Sequence, residues 1–442
     1  MSGLFKGTGW RRAVAIAGSA VLLVGSVTTG AIAQSPAASP AGEMTIQTYF
    51  SADLGEKALA DILKQFTTDS GIAVNIAPID HENFKTAILV ELAGNNPPDA
   101  HTVWAGARTA FQVKNGSLNP IDDMWAANNL DAAFPKGMVD SAATYDGKKY
   151  LVPFGYHYAG MFYNPKVMKT AGVAIPTTWD EFLTACTTLK AAGITPVAIG
   201  SKNRWPAQFW FDYLLLRTAG ADYRAKLMSG AASYTDPEVV KAFSLWADAA
   251  KAGCFTQDAN AYDWTDAADQ MAKGEAAMTL MGTWITGYLD GEKAADGTPL
   301  YVAGTDYDVF QFPTLDPAVP NAVVGPVDGF VTAAKAKNPD AGKALLAFLA
   351  KPEVQTAWAL GQGALPPNVN SDTSKLSSVM KEALGFVAAA PSFNFNYDLA
   401  TPPAVAEVGL DLFQQFMSDP TVDIAGLLGP VQTAAQAAFQ QQ

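Results

Sequence analysis

The chain has 442 residues, 49% of them hydrophobic, and a formal net charge of −13. That length exceeds what one core usually organises and favours two domains, while the acidity argues against nucleic acid or an anionic lipid surface as partner. His81, His101 and His157 are scattered and only two cysteines occur, too few ligands in too loose a spacing for zinc, so neither a metal site nor a cofactor is expected.

Lys6, Arg11 and Arg12 precede an uncharged stretch, Ala13 to Val27, and Ala31-Ile32-Ala33 offers small residues before Gln34. This pattern is an export signal, residues 1–33, with cleavage after Ala33. The stretch is short and rich in Gly, Ser and Thr for a membrane span, and the paired arginines suit either Sec-type or twin-arginine export. Removing a segment with three cations and no acid takes the formal charge from −13 to −16. Residues 34–42, QSPAASPAG, form a mobile leader.

The fold begins near Glu43. Met44 to Phe50 reads as a strand, and Asp53-x-x-Glu56 as a capping box before a helix carrying Leu59, Ile62, Leu63 and Phe66. Gly71 stops it, Ile72 to Ala77 is a second strand, Glu82 to Ala93 a helix, and Ala100 to Trp104 a third strand after the turn Asn96-Pro97-Pro98-Asp99. Thr178-x-x-Glu181 caps a helix through Phe182, Cys186 and Leu189, followed by the strand Thr195 to Ile199. Asp236-Pro237 and Asn338-Pro339 each set a capping side chain before a proline at a first helical position. Alternating strands and helices give an α/β architecture with largely parallel sheets. Cys186 and Cys254 are either a disulfide or two separately buried thiols; the sequence leaves both open.

Pro98-Asp99-Ala100-His101-Thr102-Val103-Trp104, Gly116-Ser117-Leu118-Asn119-Pro120-Ile121, Asp146-Gly147-Lys148-Lys149-Tyr150-Leu151-Val152-Pro153 with Phe162-Tyr163-Asn164, Pro176-Thr177-Thr178-Trp179-Asp180-Glu181-Phe182, and Gly274-Glu275-Ala276-Ala277-Met278 leading to Gly282-Thr283-Trp284 stand in one order. That order resembles the extracellular solute-binding proteins, family 1, of ABC sugar importers, the maltose-binding-protein-like group, over nearly the whole mature chain. The resemblance implies a two-lobed periplasmic-binding-protein fold of type II-like architecture, each lobe a mixed, mostly parallel sheet flanked by helices. It implies a first lobe of residues 43–155 and 309–363 and a second of 156–308 and 364–442, with crossings near Phe154–His157, Tyr307–Val309 and Gly363–Pro366. It also implies a carbohydrate ligand, permease subunits of an importer as partners, no catalysis, a monomer, and a location in the periplasm or at the cell surface. Many Gram-positive relatives carry a lipobox Cys at the cleavage site and this chain has none, which leaves free diffusion or an uncleaved N-terminal anchor.

A sugar offers hydroxyls around flat C–H faces, so its site needs aromatic plates and polar groups that replace water. Most of the ten tryptophans, Trp179 and Trp246 among them, fit a core. Trp104 ends a strand, Trp284 follows one, and Trp205 sits in a polar loop, positions that in open α/β sheets gather at the ligand crevice. Arg108 and Gln208 match ligand-facing positions of the resembled family, and His157 stands at the first crossing. Asp328 stands at a glycine-bounded strand start. His81 follows the second strand beside Asp80, which is equally a helix cap. Phe395 and Tyr397 either cover a ligand or pack their loop down, and stay outside the leading set. Two other readings remain: a secreted glycosidase, for which Asp263, Asp266 and Asp269 are the nearest acids but sit at the spacing of a solvated helix face, and the same fold taking a non-sugar solute.

Overall fold

The computed structural model describes residues 42–51 and 53–440. The expected export segment, the leader up to Ala41 and the capping side chain of Asp53 fall outside what is described. The strands of the two main sheets are β1 (Gly42–Thr48), β2 (Ile72–Pro78), β3 (Ala100–Trp104), β4 (Val152–Tyr156), β5 (Ala159–Tyr163), β6 (Thr195–Ala198), β7 (Ala276–Gly282), β8 (Asp308–Phe310) and β9 (Val327–Thr332). The five-stranded sheet has the order β2-β1-β3-β9-β4 and the four-stranded sheet β8-β5-β7-β6.

In the first sheet β1 is parallel to β2 and β3, through the helices Asp53–Ser70 and His81–Ala93, as the alternation predicts. The later strands depart from it. β9 is antiparallel to β3 and β4, and β5 is antiparallel to β7 and β8, leaving β6 and β7 as the parallel pair of the second sheet. The reason is direction of entry. Val327 and Asp328 reach the first sheet from the other lobe, and Asp328 pairs with Trp104 at the end of β3, so β9 must run against it.

The passages between lobes are narrow. His157 donates its backbone N–H to Pro326 O at 3.0 Å, and Tyr156 exchanges two backbone bonds with Leu365, at 3.0 and 2.8 Å. Gly325 is required here, since a Cβ on it would overlap the His157 carbonyl oxygen. The crossing expected near Tyr307–Val309 is not one: Asp308 and Val309 pair with Tyr163 and Phe162 inside the second sheet, and the chain returns to the first sheet at Val327. Residues 309–324, expected in the first lobe, therefore belong with the second.

Two large cores back the sheets. One gathers Met44, Ile46, Leu59, Leu63, Phe66, Phe154, Phe330 and Trp358; the other gathers Phe162, Phe182, Trp210, Trp246, Met278 and Phe413. Trp179 and Trp246 are buried in the second. The capping box at Thr178 forms as read. Pro237 and Pro339 begin helices, yet Asp236 and Asn338 do not cap them: Asp236 accepts from Ser233 N–H and Tyr223, and Asn338 bonds Asp99. Cys186 and Cys254 are joined as a disulfide, their Cα atoms 5.0 Å apart.

Candidate functional site

Strand ends, not strands, build the site. The carboxyl ends of β1, β3 and β7 and the passages at His157 and Pro326 enclose a cleft of about 490 Å³. On the first-lobe wall Tyr49, just past β1, stacks on Trp104 with ring centroids 4.1 Å apart and planes within 8°, and His81 meets the Trp104 edge at 5.1 Å. On the second-lobe wall Trp284 follows β7 and lies 5.7 Å from Trp205 and 6.1 Å from Phe209. His81 and Trp205 approach to 6.2 Å, so the aromatic walls meet at one edge.

Local backbone chemistry sets both second-lobe tryptophans. A Cβ on Gly282 would overlap three indole atoms of Trp284, so the ring lies flat on the end of β7 only because that position is glycine. Arg204 holds φ 66° immediately before the helix Trp205–Met228, a strained conformation for a residue with a Cβ, and its guanidinium is anchored by Glu407 at 2.7 Å and Asp411 at 2.6 Å.

The floor is a buried polar chain. Tyr49 donates its hydroxyl to Asp328 Oδ1 at 2.6 Å, His157 Nε2 lies 3.2 Å from Asp328 Oδ2, and His157 Nδ1 lies 2.9 Å from Thr283 Oγ1. The carboxylate can only accept, so Nε2 carries a proton toward Asp328, while Thr283 Oγ1 is the partner of Nδ1. Burial, with the Asp328 charge beside it, pushes the Tyr49 hydroxyl well above its ordinary pKa, leaving it a fixed donor.

One edge of the cleft is ionic. Arg108, from the first lobe, reaches Glu407 at 3.2 Å and Asp398 at 3.5 Å. Burial works to raise the Glu407 carboxyl, but Arg108 and Arg204 outweigh it and hold it below the usual range. Gln208 accepts the Asp398 backbone N–H at 2.9 Å. Near the other rim Glu82 sits between His81 at 2.9 Å and Lys85 at 2.8 Å; burial opposes its ionisation, and these two partners still bring it to about 2. Asp80 caps the helix that begins at His81.

All eight residues singled out in the sequence, Trp284, Trp104, Trp205, His157, Arg108, Asp328, Gln208 and His81, line this one cleft. Arg108 does so with its charge already engaged by acids of the other lobe, which narrows its reading as a ligand contact. Tyr49, Phe209, Asn396 and Asp398 line the cleft and were missed. Alternation in Phe395-Asn396-Tyr397-Asp398 was the available signal: Phe395 packs toward the first lobe and Tyr397 into the second core, leaving Asn396 and Asp398 for the cleft. The acids weighed for glycosidic chemistry have structural partners. Asp263 and Asp266 form a capping box, and Asp269 pairs with Lys273. Among the described residues no cluster of three or more His, Cys, Asp or Glu could hold a metal ion, and no helix is long and apolar enough to cross a membrane.

The family model of the bacterial extracellular solute-binding protein matches residues 51–356. The chain belongs to that family. This solute-binding protein is 30% identical over 381 residues to an uncharacterized ABC transporter extracellular-binding protein of Pyrococcus horikoshii, covering 82% of each chain. It is 24% identical to a probable sugar-binding periplasmic protein of Mesorhizobium japonicum over 90% of this chain and 94% of that one. Among solved structures it is similar to the bacterial solute receptor AcbH, described with an exclusive substrate preference for β-D-galactopyranose, at 28% identity and a TM-score of 0.83 over 90% of this chain and 99% of that one. The solute-binding protein thus has the two-lobed fold of ABC importer receptors.

Proposed function

We propose that this solute-binding protein captures a neutral mono- or oligosaccharide between its lobes and delivers it to the permease subunits of an ABC importer. The observation that carries the reading is the cleft's composition. Trp104, Trp205 and Trp284 supply apolar plates from both lobes, while the charged groups of the floor and edge are already engaged within the protein, Asp328 by Tyr49 and His157 and Arg108 by Glu407 and Asp398. Such walls favour C–H faces and hydroxyls over a formal charge. The sugar-binding relatives and the galactose preference described for AcbH support the same class. In this reading the first lobe comprises residues 43–155 and 327–363, the second 158–325 and 365–442, and ligand favours the closed arrangement by touching both. The protein works as an exported monomer, without a nucleic-acid partner and without chemistry on its ligand.

Intrinsic tryptophan fluorescence and thermal melting against a panel of neutral sugars, polyamines and peptides test this. A saturable response to one sugar class, with that sugar recovered intact, supports the reading. A response confined to charged solutes, or release of reducing ends from an oligosaccharide, overturns it.

A further inference from the structure

The segment Phe393–Ala400 is held more firmly than a surface loop requires. Phe393 and Asn394 pair with Val323 and Val324. The buried ion pair between Asp212 and Arg224, at 2.6 Å, grips the backbone on both sides of Asn396: Arg224 donates to the Phe395 carbonyl at 2.7 Å and Asp212 accepts the Tyr397 N–H at 2.8 Å. An ion pair taken out of water is a costly tether, and this one fixes the setting of a single side chain.

That side chain is Asn396, on the cleft wall and 5% exposed. Its Nδ2 donates to Asp398 Oδ1 at 2.6 Å, which fixes the orientation of the amide, and its buried Oδ1 has no hydrogen-bond partner among the described residues. Gln208 is fixed in the opposite sense: its oxygen is used on the Asp398 N–H, so what remains for the cleft is its NH2 group. Around Asp398 the wall therefore holds a buried acceptor that lacks a donor, Asn396 Oδ1, next to a donor that lacks an acceptor. A carboxylate could answer Gln208 but not Asn396 and would face the Asp398 charge. An ammonium could answer Asn396 but not Gln208. A hydroxyl answers both, because it donates and accepts.

We propose that Asn396 is a specificity-determining contact that takes the proton of a ligand hydroxyl through Oδ1, with Gln208 donating to the same hydroxyl or its neighbour. The inference rests on the sugar reading and adds which wall tells one sugar from another: the tryptophans read faces shared by all pyranoses, and Asn396 reads the hydroxyl pattern of one edge.

Calorimetric titration of the wild-type protein with D-galactose, D-glucose, N-acetyl-D-glucosamine and maltose selects the tightest sugar, and its monodeoxy analogues are then titrated into wild type, Asn396→Ala and Asn396→Ser. Melting of the ligand-free variants checks that they fold. Asn396→Ala is expected to weaken the parent sugar about tenfold or more. One deoxy analogue should lose as much on wild type yet bind Asn396→Ala as well as the parent does, and the serine hydroxyl should recover part of the loss. If folded Asn396→Ala binds the parent within about twofold of wild type, or ranks every deoxy analogue as wild type does, the inference is overturned while the sugar reading stands. If wild type binds none of the sugars, both fall together.

Discussion

Gly282→Ala puts the aromatic wall to a test that leaves every aromatic residue in place. Gly282 closes β7 without a positive φ, so alanine can adopt its backbone, but the added Cβ would overlap Cζ3, Cη2 and Cε3 of Trp284. Carbon atoms pack at about 3.5 Å or more, so the indole must move by about 1.5 Å or tilt away from the strand. His157, Trp205 and Phe209 surround it, leaving the cleft as the direction of escape. A displaced plate loses its stacking on a sugar face, worth about 1–2 kcal/mol, or roughly tenfold in Kd. Fluorescence titration of wild type, Gly282→Ala and Trp284→Ala with the selected sugar should place the glycine variant between the other two, with a blunted spectral change. Unchanged affinity and unchanged spectra in a folded Gly282→Ala protein would refute both the packing argument and the role given to Trp284.

Three further outcomes follow from groups outside the aromatic wall. His101 is buried, donates from Nε2 to Gln112 Oε1 at 3.0 Å, and has no partner for Nδ1 among the described residues; burial lowers its pKa from 6.5 to about 4. Because the unfolded state takes up the proton first, the associated stability is present above about pH 6.5 and is lost as pH falls toward about 4, a change of about 3 kcal/mol that His101→Gln should remove from the pH dependence of denaturant midpoints. Arg108→Met should weaken sugar binding by about threefold to tenfold at low salt and make affinity less salt-dependent, since it cuts the link from the first lobe to Glu407 and Asp398; equal salt dependence in variant and wild type would count against a closing role. Reducing the Cys186–Cys254 bond, which closes a separation of 68 residues, should lower stability by about 4 kcal/mol on chain-entropy grounds while leaving the affinity measured well below the melting temperature unaltered.

The opening β-α-β-α-β unit was legible because each of its signals is local: Leu59, Leu63 and Phe66 repeat at helical spacing, Gly71 stops the helix, and the proline turn introduces β3. Trp104 and Trp284 were legible for a topological reason, since a side chain at the carboxyl end of an α/β strand faces the crevice whatever its neighbours do; Trp264, at the start of the helix Trp264–Lys273, also lines the cleft and carried no such signal. The second passage was not. β8 is three residues long, and nothing in its sequence says that it pairs with β5 rather than continuing to the first lobe. Nor were Asp236 and Asn338 readable: their cap positions are local, but the partners that draw their side chains away are set by tertiary packing. Asn396 and Glu407 belong to the same class. Arg108 and Glu407 are 299 residues apart in sequence, and only the folded chain shows that they face each other.

His157 occupies two structures at once, and this bears on how such a receptor could acquire new cargo. Its backbone is bonded to Pro326 in the passage between lobes, while its imidazole joins Asp328 and Thr283 beneath the aromatic plates. On the proposed sugar reading, a ligand that displaced the imidazole would act directly on this passage, with no relay through the core needed to turn occupancy into movement. Substitution at Trp205 or Asn396 is then expected to change which solute fits without touching that passage, whereas substitution at His157 is expected to alter cargo and motion together. Diversification among descendants of this chain is therefore expected to run through the rim residues first and to leave the His157–Asp328 pair in place.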